Sequence, residues 1–170
     1  MAAQSVESVD TTKVSGRRKV HYNDHNELLA DVERLQAGGY RYLGNWPLGQ
    51  VCQHLSNALK SGIDGAPTQP AWPVRAIARF MFKDKAVQGP VKPGFKLPKS
   101  GQFLAPDPCE DEQGVAALRE TVERWYREPE RKPHAFFGKL TPEEWEKLML
   151  NHAEMHMSFI VPKEENEPTQ

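Results

Sequence analysis

A chain of 170 residues with 38% apolar and 26% charged side chains is one domain's worth of sequence, long enough to bury a single core. Its 22 basic and 23 acidic residues nearly cancel, so no strong positive field exists to hold phosphate backbones, which argues against nucleic acid as a partner. The opening MAAQSVESVDTTKVS has no apolar stretch, no run is apolar enough to cross a bilayer, and two cysteines, Cys52 and Cys109, make no disulfide framework. A soluble, cytoplasmic protein is expected, with a small-molecule substrate and no membrane partner, as a monomer or homodimer.

Residues 1–15 and 163–170 are polar and aperiodic and are expected to be disordered, leaving a domain over residues 16–162. The first helix is predicted over residues 24–36, with Leu28, Leu29, Val32 and Leu35 on one stripe and Gly38-Gly39 closing it. The second is predicted over residues 46–61, with Asn45 as N-cap, Pro47 in the first turn, and a stripe of Leu48, Val51, Cys52, Leu55 and Leu59. A long crossover, residues 65–109, follows. Residues 73–85 can form a short helix within it, and the rest is rich in proline and glycine and reads as an ordered loop.

The third main helix is predicted over residues 110–127, with Glu110, Asp111 and Glu112 at its positive end and Val115, Leu118, Val122 and Trp125 on its stripe. The fourth opens on Thr141-Pro142-Glu143-Glu144, a capping box with proline at the first helical position, and runs to about residue 160. Alternating strand patterns are nearly absent. The pattern is all-α: a four-helix bundle with one long, irregular crossover between helices 2 and 3.

The histidines carry the chemistry. At about 100° per residue, His152 and His156 fall about 20° to either side of Trp145, at the centre of the last helix's apolar face. Glu146, Lys147 and Glu154 point away, toward water. Two imidazoles one turn apart on an inner face want partners for four ring nitrogens, and a metal ion takes a lone pair from each neutral ring. A hydrogen-bonded core pair is the competing reading of HxxxH. The segment HAEMH is not the zincin motif, because Glu154 faces away from both rings. A third ligand must come from another helix, and His54, at the edge of the second helix's stripe, is the candidate. Cys52, two residues away, points elsewhere and belongs to the core. Three histidines leave positions open, as in catalytic sites. His25 is read as a partly exposed helix-start residue rather than a fourth ligand, and His134 as shaping the turn before Phe136-Phe137-Gly138.

RRKV (17–20), GNWPLGQVCQHL (44–55), IDG (63–65) and FFGKLTPEEWEKLMLNHAEMHMSF (136–159) resemble the DinB/YfiT-like putative metalloenzymes, in particular an uncharacterised domain-of-unknown-function branch. The resemblance implies an up-down-down-up four-helix bundle. It also implies a divalent metal (zinc by default, nickel or iron as alternatives) on His54, His152 and His156. Characterised relatives include transferases that use a low-molecular-weight thiol, so a metal-dependent thiol S-transferase is expected, with a metal-dependent hydrolase or a non-catalytic metal- or ligand-binding module as alternatives. Trp46, Trp72 and Phe95 are candidates to line the pocket.

Overall fold

The computed structural model describes residues 8–96 and 98–163. The expected disorder of residues 1–7 and 164–170 lies outside the described residues. In chain order the elements are α1 (His25–Gly38), β1 (Tyr40–Tyr42), α2 (Leu48–Ile63), α3 (Trp72–Gln88), a 3-10 helix (Lys99–Leu104), α4 (Asp111–Arg127), α5 (Pro142–Met157) and β2 (Ile160–Pro162). None of the helices is long and apolar enough to cross a membrane.

Four of these helices stand where the periodicity puts them. Asp24 caps α1 by accepting from Asn26 N and Glu27 N, and the Thr141–Glu144 capping box opens α5 with both reciprocal bonds made. Glu110 and Gln113 form a second capping box at α4. The start of α2 differs from expectation. The helix begins at Leu48 with Pro47 at the N-cap position, while Asn45 is spent on Val9, bonding its N–H and its carbonyl.

The simple four-helix bundle is corrected. The crossover contains a 17-residue helix, α3, and a 3-10 turn, giving five α-helices and one 3-10 helix among the described residues. The last helix also ends earlier than residue 160. Ser158 caps it, and the chain turns extended to pair β2 antiparallel with β1, Tyr42 opposite Ile160. Three-residue strands carry no legible alternation, and only the meeting of two distant segments makes them.

The core gathers the stripes of α1, α2, α4 and α5, with Leu28, Val32, Leu48, Cys52, Leu118, Val122 and Trp145 at most 1% exposed. The α2–α4 crossing is very close. A Cβ on Gly114 would stand 2.0 Å from the Gly49 carbonyl oxygen, and one on Gly49 would stand 2.7 Å from that of Glu110. Ser56 and Thr121 meet across the same interface at 2.8 Å. This contact sets the depth of α2 in the bundle and therefore the position of His54.

The segment before α1 ties down the end of α5. Arg18 forms a bidentate pair with Asp31 (3.1 and 2.7 Å), Tyr22 donates to the same carboxylate, and Arg18 N donates to Ser158 O. Glu154 accepts from Tyr22 N and contacts His21, so it braces this segment instead of facing free solvent.

Candidate metal centre

His54 projects from the middle of α2, and His152 and His156 project from the last turns of α5. The structure brings the three together. His152 Nε2 lies 3.1 Å from His54 Nε2 and 3.0 Å from His156 Nε2, and one ligand atom from each ring lies within 4.8 Å of the others. Nitrogens about 2.0–2.1 Å from a shared ion sit about 2.9–3.4 Å apart at octahedral to tetrahedral angles, so the spacing fits one first-row ion.

The tautomers sharpen the fit. His54 Nδ1 lies 2.7 Å from the Leu104 carbonyl, which can only accept, so this ring carries its proton on Nδ1 and presents a lone pair at Nε2. A single proton on His152 Nε2 can serve His54 or His156, not both. Without a cation, one lone pair faces another across a half-buried site, a cost of roughly 1–3 kcal/mol where water does not reach it. A cation between the rings satisfies all three.

Electrostatics agree. Burial pushes the pKa of His54 below its ordinary value, partly opposed by the Leu104 bond. His152 and His156 are pushed well below, first by burial and then by the neighbouring imidazoles, with Arg17 adding to the effect at His156. All three are neutral at pH 7, the state that ligates. Trp46 covers two of them, stacked on His156 at 5.6 Å and tilted against His54 at 5.0 Å. Arg17 is held over the Phe159 ring and bonds the Ser158 hydroxyl and the Met155 carbonyl.

The remaining expectations divide. Cys52 is in the core with its thiol pKa pushed up by burial, and Cys109 is also raised, so neither offers a thiolate at neutral pH. His134 shapes its turn as expected, its Nδ1 accepting from Phe136 N and Phe137 N. Trp72 and Phe95 are 78% and 71% exposed and face outward, so neither lines the centre. His25 is corrected: it is 1% exposed, its Nδ1 is 3.0 Å from Glu146, and Glu146 also accepts from Trp125 Nε1 at 2.7 Å. Glu146 therefore joins α1, α4 and α5 instead of pointing to water. The other ring nitrogen of His25 has no partner, and His25 shares with His152 the lining of a small apolar void.

Of the three pocket candidates only Trp46 lies at the centre, and two features escaped sequence reading, the Leu104 carbonyl and Arg17. The Leu104 carbonyl is backbone and has no sequence signal. Trp46 lies two residues before the helix that carries His54, and only the bend at Pro47 brings its ring over His156. Arg17 sits 141 residues from the hydroxyl that holds it.

The arrangement is capable of holding a metal ion: three imidazoles converge on an α-rich domain. No curated protein and no solved structure matches the chain. One family model, described as protein of unknown function, matches residues 14–163, and by that match the chain belongs to the DUF1569 family.

Proposed function

We propose that the protein is a DinB-like metalloenzyme whose His54, His152 and His156 hold one divalent ion, with zinc the default and nickel or iron also suited to three imidazoles. The DinB likeness further proposes that α1, α2, α4 and α5 form an up-down-down-up bundle, to which α3 is an addition. The observation that carries the reading is the convergence of three Nε2 atoms, one of them fixed as a lone pair by Leu104.

The proposed reaction class is transfer of a low-molecular-weight thiol to an electrophilic small molecule. A divalent ion in the triad supplies Lewis acidity, which lowers the pKa of a thiol or water presented to it. The chain's own groups position and shield. Leu104 holds the His54 ring, Trp46 covers His54 and His156, and Arg17, bonded among the described residues to the neutral Ser158 hydroxyl and Met155 carbonyl, adds positive charge beside His156. Both cysteines have raised pKa values, which favours an external thiol over a protein nucleophile. A reducing, cytoplasmic setting suits both the free cysteines and such a thiol.

The test is elemental analysis of the purified protein, followed by turnover of an electrophile panel with and without added thiol. One equivalent of metal and thiol-dependent turnover support the proposal. Ester turnover that needs no thiol would make it a hydrolase. Stoichiometric metal with no turnover would make it a metal-holding module. Metal-free protein with full activity would remove the centre from the mechanism altogether.

A further inference from the structure

Helix α3 lies on the bundle with its polar side inward. Lys83 Nζ is 2.5 Å from Glu144, and Arg79 donates to the carbonyls of Phe137 and Lys139. A Cβ on Gly138 would meet the guanidinium nitrogens of Arg79 and Arg75 at 3.5 and 3.8 Å, so both arginines lean on that turn. At its end, Asn151 on α5 donates to the carbonyls of Ala86 and Val87. Val87 is the helix's single buried residue.

The opposite side carries the apolar residues. Val74, Ile77 and Met81 follow a helical i, i+3, i+7 spacing and are 52–57% exposed, while Phe80 beside them is 92% exposed and Trp72 opens the helix at 78%. Of the ten large apolar side chains exposed among the described residues, six lie on α3 and a seventh, Phe95, follows it. At about 150–250 Å² per aromatic and somewhat less per aliphatic side chain, the four that share one arc, Val74, Ile77, Phe80 and Met81, leave on the order of 400 Å² of apolar residue surface in water. A patch of about 300–600 Å² is the largest that a typical monomer shows, and it is often a functional one.

We propose that a second copy of this chain covers this face, α3 packing on its symmetry mate about a two-fold axis. Two arguments select that occupant. At the roughly 56–65% apolar share usual for interfaces, an arc of this size corresponds to about 600–700 Å² per partner, within the range that a stable two-chain interface uses. The charge also fits. Arg75, Arg79 and Lys83 are turned inward, so near the outward apolar arc the helix presents Asp84 and Lys85, one of each sign, and two such faces meet without net repulsion. An anionic membrane would instead be met by outward cations on the helix, where Lys85 stands beside Asp84. Nor is the face a groove for a peptide, since a side chain 92% exposed stands proud of the surface. The polar anchoring acquires a purpose: Asn151 directly precedes His152, so covering α3 also braces the helix that carries two of the three histidines.

The test is the mass of the full chain by light scattering at 1–100 µM, alongside sedimentation with phosphatidylglycerol vesicles. The expected result is a species of twice 19.3 kDa, with the dissociation constant raised at least a hundredfold by Phe80→Glu combined with Met81→Glu. Residues near a two-fold axis meet their own mates, so Ile77→Cys in a Cys109→Ser background is expected to give an interchain disulfide on mild oxidation, a readout that does not depend on the charged variant folding. A monomer at every concentration overturns the proposal. So does a monomer that sediments with vesicles, or a dimer that survives the double substitution, or a dimer in which Ile77→Cys stays uncrosslinked. None of these outcomes depends on whether the histidine triad binds metal.

Discussion

Replacing His152 by alanine tests the centre at its node, because its Nε2 makes both the 3.1 and the 3.0 Å contact. A ligand present at a hundred times its dissociation constant stabilises the fold by about 2.7 kcal/mol. For a domain of this size each kcal/mol moves the melting temperature by about 2–4 °C, so metal loading should raise it by about 5–11 °C. Losing one of three imidazoles and weakening affinity a thousandfold takes the same metal concentration to about a tenth of the new dissociation constant, where less than about 0.1 kcal/mol remains. The substitution also empties volume and lowers stability by itself, so the quantity to read is the difference between chelated and metal-loaded melting temperatures for each protein. Wild type and His21→Ala, whose side chain is 78% exposed, should show the full shift, and His152→Ala almost none. An equal shift in His152→Ala, or no shift of wild type with zinc, nickel, cobalt or iron(II), would refute the reasoning.

Acid should weaken the fold through His134, whose pKa is pushed by burial down to about 4. The unfolded chain takes up this proton near pH 6.5 and the folded chain does not. Stability from this group is therefore whole above pH 6.5 and falls down to about pH 4, by up to roughly 3 kcal/mol. Urea titrations at pH 7 and pH 5 should show a smaller loss in His134→Asn, which keeps an acceptor for Phe136 N and Phe137 N; an equal loss would exonerate the residue. Glu146→Leu strands the Trp125 and His25 ring N–H groups and should cost about 3 kcal/mol in urea unfolding with metal content unchanged, while Glu146→Gln should cost less. Gly114→Ala forces a methyl to within 2.0 Å of the Gly49 carbonyl and should cost at least about 3 kcal/mol; a neutral result would mean that the α2–α4 contact is looser than drawn.

Much of the scaffold was legible because local rules and burial agreed. The Thr141–Glu144 box, the Asp24 cap and the 3.6-residue stripes of α1, α2, α4 and α5 each follow from residues close in sequence. His152 and His156 were readable as a pair for the same reason: a helix places residues four apart on one face, whatever surrounds it. The extent of α3 was obscured by the opposite circumstance, a helix whose cations face the protein and whose aromatics face outward, so its hydrophobic stripe names no core.

What depends on contacts between distant segments was decided only by the tertiary structure. His54 reaches His152 because Gly49 and Gly114 let α2 sink against α4, and its tautomer comes from a carbonyl 50 residues away. Glu146 looked solvated on the wheel of α5, since a wheel shows which way a side chain points and not what another helix brings to meet it. The sequence by itself determined the helices, their caps and the two-histidine face, because those are set by φ/ψ preference and period. The third histidine's reach, the pairing of buried His25 with Glu146 and the outward face of α3 needed the packed structure, because long-range packing decides which faces meet and which are left for a partner.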